Sequence, residues 1–223
     1  GSTGMTGAAY LSTMAALRSG AGLTITCAPS SLNSIYENKI TEGMTLICND
    51  DNNKGFFSEE NYEVIMDHVN WCDALVIGPG IGVEKSTALL VEKLVQNVEK
   101  PIVIDADGLR PFYANLELFK KIKSNFIITP HLGELGQIIN KDPAEIRSKI
   151  DDVIDNFVKD FPGILLAKFS PSFVAWESKG YVNSTGNPAL ATAGSGDVLT
   201  GMIASLIAQG HSIKNATIID GLG

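Results

Sequence analysis

The sequence predicts an α/β fold with a mostly parallel central sheet, helices on both faces and a short antiparallel addition. Three observations predict it. Apolar runs of strand length recur through the first 130 residues, helical patterns lie between them, and glycine-rich turns follow several of the runs.

The runs GLTITCA at 22–28, MTLIC at 44–48, DALVIG at 73–78, PIVIDA at 101–106 and NFIIT at 125–129 have the rhythm of parallel strands joined by crossover helices. Ala8 to Arg18 reads as a helix closed by Gly20. Glu84 to Val98 reads as another, with Ala88, Val91, Leu94, Val95 and Val98 on one stripe, and both should cover a sheet face. From Gly163 the pieces shorten to GILLAKF, SFVAWES and GYVNS, with Lys179-Gly180 as the expected tight turn between the last two; this is the antiparallel addition. The tail returns to helix, where Val198, Leu199, Met202, Ile203, Leu206 and Ile207 form a broad apolar face that Gly210 ends. No repeat, low-complexity tract or linker interrupts the pattern, so residues 1–223 are expected to form one domain, trimmed at both ends. Gly1-Ser2 reads as a tag remnant or as the stump of a longer sequence.

Lys and Arg number 17 against 25 Asp and Glu, a net charge of −8, and no basic run breaks that balance. A nucleic-acid or anionic-membrane partner is therefore disfavoured, and any phosphate must be held by a local device such as backbone N–H groups at a helix start. Cys27, Cys48 and Cys72 have neither metal-ligand spacing nor a CxxC pair and read as reduced core thiols of a cytoplasmic protein. The most apolar windows are much shorter than the roughly 20 residues that cross a bilayer.

Five segments can carry chemistry. Asn183 to Asp197, NSTGNPALATAGSGD, sets Gly186, Gly194 and Gly196 before an apolar helix starting near Asp197; its amides can cradle a phosphoryl group, and Asp197 either accepts a hydroxyl proton or simply caps the helix. GPGIG, Gly78 to Gly82, follows a strand where open α/β sheets bind ligands, Gly80 and Gly82 permitting close backbone approach; an ordinary strand-to-helix turn is the other reading. IDADGL ends the next strand with Asp105 and Asp107 two apart, leaning to one side to position a Mg2+-bound nucleotide or a ribose, unless Asp107 caps the turn that follows. TPHLGE brings His131 and Glu134 to the same rim, His131 as a substrate contact or as a hydrogen-bonded structural residue. Lys168 opens KFSPS, either reaching phosphates while Ser170 or Ser172 meets another part of a nucleotide, or lying in solvent.

Together with the opening GSTGMTGAAYLSTMAALRSGAGL, these segments resemble the ADP- or ATP-dependent NAD(P)H-hydrate dehydratases across nearly the whole chain. The resemblance implies a ribokinase-like three-layer sandwich, with Ala8, Gly80, Gly82 and His131 facing the hydrated cofactor. It also implies nucleotide contacts from Lys168, Phe169, Ser170, Pro171, Ser172, Gly194, Ser195 and Gly196, with Asp197 as the substrate-binding and catalytic carboxylate. ADP or ATP is the implied cosubstrate, Mg2+ the implied cofactor, with no dedicated protein ligands assigned to it, and a homo-oligomer, such as a tetramer, the implied assembly. Phe169 departs from the glycine usual after the lysine, and NPALATAGSGD departs from the usual Gly-Met pair and threonine. Those departures bear on nucleotide preference and leave the reaction in place.

The expected reaction restores NADH or NADPH from the S epimer of its hydrate. Hydroxide is a poor leaving group, so the ring hydroxyl is first phosphorylated: Asp197 takes its proton, the Gly194 to Gly196 amides and Mg2+ stabilise the moving phosphoryl group, and the ring nitrogen then expels phosphate. A small-alcohol kinase acting on a thiazole or pyrimidine vitamin precursor, or an inactive nucleotide-binding module, are the competing readings.

Overall fold

The computed structural model describes residues 1–177, 179–183 and 192–221. In chain order the elements are α1 (Thr6–Arg18), β1 (Ile25–Pro29), α2 (Asn33–Lys39), β2 (Met44–Cys48), α3 (Tyr62–Val69), β3 (Leu75–Ile77), α4 (Lys85–Asn97), β4 (Ile102–Ile104), β5 (Phe126–Ile128), α5 (Leu132–Ile139), α6 (Pro143–Ser148), α7 (Ile150–Val158), β6 (Ile164–Ala167), β7 (Ser172–Trp176), β8 (Lys179–Asn183), α8 (Ser195–Ala208) and α9 (Ile213–Gly221).

Strands β3 to β8 form one sheet in sequence order, parallel from β3 to β6 and antiparallel from β6 to β8. The short central strands are apolar at every position because both faces are covered, and their alternation sorts the core into two layers. Ile102, Ile104, Phe126 and Ile128 point to the layer that holds Leu90, Val91, Leu94 and Val95 of α4 and Ile154 and Val158 of α7. Val103 and Ile127 point the other way, to Ile203 and Ile207 of α8 and Ala216 of α9. Full burial of each such aliphatic side chain contributes roughly 1.5–3 kcal/mol; of the predicted stripe Val91, Leu94, Val95 and Val98 are buried, Ala88 is half-buried, and Leu90, outside that stripe, joins them in fastening the helix to the sheet. No helix among the described residues is long and apolar enough to cross a membrane.

Two sequence expectations need correction. β1 and β2 pair in parallel with each other in a separate two-stranded sheet and do not extend the central one. A cavity of about 590 Å3 lies between them, lined by Ile25, Thr26 and Cys27 on one side and Leu75, Val76 and Ile77 on the other. Strand propensity reports that a segment is extended, not which edge it meets, so this division had no local signal. The tight turn of the last hairpin also moves. Trp176 pairs with Lys179 and Ala175 with Gly180, placing Lys179 and Gly180 inside β8. The reversal falls instead between Trp176 and Lys179, where Glu177 takes the left-handed φ of 51°.

The candidate active site

The crevice is built at the C-terminal ends of β3, β4, β5 and β6, where an open parallel sheet leaves its strand-to-helix turns free to meet a ligand. After β3 the chain makes the GPGIG turn, with Gly78, Gly80 and Gly82 all at positive φ. A side chain at Gly80 would collide with the Met5 carbonyl oxygen and crowd the Ala8 methyl. The close approach that the glycine allows is therefore used by the protein's own opening segment. Ser2 reinforces it, its backbone N–H donating to the Gly80 carbonyl at 2.6 Å and its hydroxyl to the same oxygen at 3.1 Å. Gly80 thus packs against Ala8, and Gly82 against Ser2.

The IDADGL segment does not present its two carboxylates as a pair. The strand alternation stops at Asp105, because Ala106 turns to a φ of 48° and a 3-10 turn runs from 106 to 112. Asp107 accepts a hydrogen bond from the Gly82 N–H at 3.2 Å, tying this turn to the GPGIG turn, and it does not cap the helical segment. Asp105, 1% exposed, faces Lys168 across the sheet, with Nζ 2.6 Å from Oδ1.

His131 stands at the start of α5. Its Nδ1 accepts from the N–H groups of Gly133 and Glu134 at 3.0 and 3.2 Å, while Glu134 Oε2 accepts from the His131 N–H at 2.8 Å. This is a capping box with histidine in the place usually held by serine or threonine. The structural reading of His131 is therefore realised, yet its side chain remains 60% exposed, leaving the ring open to a ligand. Glu134 is mostly covered, and burial pushes its carboxyl above the usual range against the pull of the His131 N–H and Lys168.

Lys168 follows β6 and is held by its own backbone N–H, which donates to the Pro130 carbonyl at 2.9 Å. Of the KFSPS segment, Phe169 is partly buried, its ring centroid 6.3 Å from that of Phe173 and packed against the core. Ser172 opens β7 and spends its hydroxyl on the Phe169 carbonyl at 3.1 Å, whereas Ser170 and Pro171 are exposed.

The GSGD segment closes the crevice. Gly194, at a φ of 89°, is the cap of α8, and Ser195, Gly196 and Asp197 form its first turn. Asp197 is the third helical residue and makes no capping bond, so the simple capping reading of this aspartate does not hold. First-turn amides have no carbonyl within the helix to bond, and the helix dipole favours an anion there. Burial raises the Asp197 carboxyl above its ordinary range; the Asp105 charge adds to that and Lys168 opposes it. The residues 184–191 of the same motif, Gly186 among them, lie outside the described residues. Asp105 and Lys168 each stand out in the sequence but not as partners, because nothing in either motif points to a residue 63 positions away.

The fold is the α/β architecture of solved ribokinase-like structures, shared across nearly the whole chain. A ribokinase-like superfamily protein from Enterococcus faecalis aligns with a TM-score of 0.76 at 21% identity, covering 98% of this chain and 72% of that one. The ADP/ATP-dependent NAD(P)H-hydrate dehydratase of Bacillus subtilis, co-crystallised with ATP/Mg2+, aligns at 0.76 and 24% identity, covering 99% of this chain and 76% of that one. At the level of family, the model described as NAD(P)H-hydrate dehydratase matches residues 1–221, and the chain belongs to that family.

Among curated relatives, the bifunctional NAD(P)H-hydrate repair enzyme of Moorella thermoacetica is 35% identical over 211 residues, which are 94% of this chain and 40% of that protein. The ADP-dependent (S)-NAD(P)H-hydrate dehydratase of Xanthomonas campestris is 32% identical over 226 residues, 98% of this chain and 73% of that protein. The chain spans less than half the length of the bifunctional relatives it matches.

Proposed function

We propose that this chain catalyses nucleotide-dependent dehydration of hydrated NADH or NADPH, S epimer, acting as one ribokinase-like domain over residues 1–223. One observation carries the reading: in a chain of the NAD(P)H-hydrate dehydratase family, a half-buried Asp197 sits in the first turn of α8, within the fields of Lys168 and Asp105. A carboxylate so placed is a stronger base than one in water and stands beside an anion-binding helix start.

In this reading Lys168, the backbone of residues 169–172 and the Gly194 to Gly196 turn bind ADP or ATP, while Ala8, Gly80, Gly82 and His131 line the site of the hydrated cofactor. Asp197 accepts the proton of the ring hydroxyl as its oxygen attacks the terminal phosphoryl group, and ADP leaves from ATP, or AMP from ADP. The ring nitrogen lone pair then breaks the carbon–oxygen bond and releases phosphate. Loss of a proton from the neighbouring ring carbon restores the dihydronicotinamide. Among the described residues no three His, Cys, Asp or Glu side chains gather as a metal cage, and the Asp105 carboxylate is engaged by Lys168. A resident Mg2+ site does not fit these side chains; Mg2+ carried on the nucleotide phosphates does, and would offset charge there. A cytoplasmic location and a homo-oligomeric assembly belong to the same reading.

Incubation with hydrated NADH, Mg2+ and ADP or ATP should regenerate the absorbance of the reduced cofactor with one phosphate released per turnover. An unchanged hydrate beside brisk phosphorylation of a thiazole or pyrimidine alcohol would replace this reading with a small-alcohol kinase.

A further inference from the structure

We propose that Asp105 is a positioning residue: it fixes the Lys168 ammonium against the first turn of α8, so that one cation serves both the Asp197 carboxylate and the phosphates of an incoming nucleotide. The second half of this inference rests on the nucleotide site proposed above.

Asp105 is buried at the end of β4, where an unpaired carboxylate would be costly, and its carboxylate meets the Lys168 ammonium at 2.6 Å. The Asp105 N–H donates to the Ile77 carbonyl at 3.0 Å and its carbonyl accepts from Gly108 N–H at 2.9 Å, so the backbone that carries the carboxylate is anchored to the end of β3 and to the turn after β4. A lysine ammonium on four methylene groups otherwise samples many rotamers, and tying it to a fixed carboxylate removes that freedom before any ligand arrives.

The place where the ammonium is held matters. A Cβ on Gly196 would lie 3.1 Å from Lys168 Nζ and 3.6 Å from Asp105 Oδ2, so the missing side chain lets the ion pair reach the helix start. Around this point Asp105 comes from β4, Lys168 from the end of β6, His131 and Glu134 from α5, and Asp197 from α8; Lys168 offsets the buried charge of both Glu134 and Asp197. On the neighbouring elements, Arg110 and Asp107 act with Glu134 on Tyr113. Arg18 is in the last turn of α1, Lys214 of α9 stands 5.2 Å from the Trp176 ring, and Asp107 holds Gly82.

Simple charge counting and positioning make opposite predictions. Removing the negative charge of Asp105 should tighten binding of an anion if the residue acts only through its field. If it positions Lys168, Asp105→Asn should weaken ADP binding by about tenfold in calorimetry, because the ammonium is released from the helix start. In a Lys168→Met background the same Asp105→Asn change should cause no further loss, as a coupled pair requires. Tighter or unchanged ADP binding in Asp105→Asn overturns the proposal, and so does an equal loss in the two backgrounds. Nitrogen-15 spectra of the lysine ammonium groups, recorded without nucleotide, give a second measurement. The wild-type protein should show a slowly exchanging Lys168 signal that Asp105→Asn loses and Asp105→Glu recovers at least in part; a signal that persists in Asp105→Asn also overturns the positioning. The double variant Asp105→Asn/Lys168→Met, which removes both members of the ion pair together, checks that losses in the single variant are not misfolding. A wild-type protein that binds neither ADP nor ATP would remove the functional reading and the nucleotide half of this inference, while the ammonium signal still decides the first half.

Discussion

His131 and Glu134 close the N-terminus of α5 reciprocally, the imidazole Nδ1 accepting from two backbone N–H groups and the Glu134 carboxylate accepting from the His131 N–H at 2.8 Å. The ring must therefore leave Nδ1 unprotonated and carry its proton, when neutral, on Nε2. Substitution can separate the cap from the substrate contact. His131→Asn keeps a good capping oxygen and should retain a near-wild-type melting temperature while raising KM for the hydrated cofactor; His131→Ala should lose both, costing about 1 kcal/mol of stability. An Asn variant with unaltered KM would confine His131 to its capping role.

Asp197→Asn should abolish turnover and leave ADP affinity nearly intact, since the amide keeps the shape of the carboxylate and cannot take a proton. It should also stabilise the fold. Because the folded-state carboxyl is raised above its unfolded value, mainly by burial, ionising it opposes folding. That cost is absent below the ordinary carboxylate range near pH 4 and complete once the pH exceeds the raised folded-state value. Asp197→Asn should thus gain a little stability at neutral pH, the gain kept small because a partly exposed group is screened by solvent. Melting curves that stay separated by the same amount down to pH 3 would contradict the assigned cause.

Gly80→Ala should be more damaging than its size suggests. The position has a φ of 60°, and the new methyl would strike the Met5 carbonyl and crowd Ala8. A cost of about 2–4 kcal/mol follows from the strained backbone and the overpacking. Because Gly80 packs on Ala8 and both are proposed to line the site of the hydrated cofactor, binding of that cofactor should weaken more than nucleotide binding. Equal losses for the two ligands in calorimetry would place Ala8 and Gly80 outside the cofactor's site.

Asp50 lies outside the crevice and should matter for stability alone. Burial raises its carboxyl, but hydrogen bonds from the Ser30 and Ser31 hydroxyls and from the Ser31 and Gly55 N–H groups, the latter two at 2.9 and 2.7 Å, reverse this and carry it down to about 2. A depressed folded-state value means stability that is full above the ordinary aspartate range near pH 4 and lost as the pH falls through about 2. Asp50→Asn should cost about 2–4 kcal/mol at pH 7 by denaturant unfolding and progressively less under acid. Unchanged catalytic rates in the surviving folded fraction are expected.

The sequence by itself determined the layers of this protein. Parallel strands covered on both faces must be apolar at every position, so Ile102–Ile104 and Phe126–Ile128 announce themselves as runs, and a helix on one face must show a stripe, as Val91, Leu94, Val95 and Val98 do. The positions of GPGIG, IDADGL and TPHLGE just past such runs likewise placed these turns together at one end of the sheet, since neighbouring parallel strands end on the same side. Only the tertiary structure decided who meets whom across that crevice. It paired Asp105 with Lys168, gave Asp107 to the Gly82 N–H, turned His131 into a helix cap, and set β1 and β2 apart from the sheet they were expected to join. Each of these depends on distances between segments far apart in the chain, and Coulomb attraction and hydrogen bonding act through space, so the partners leave no periodicity along the sequence from which they could be read.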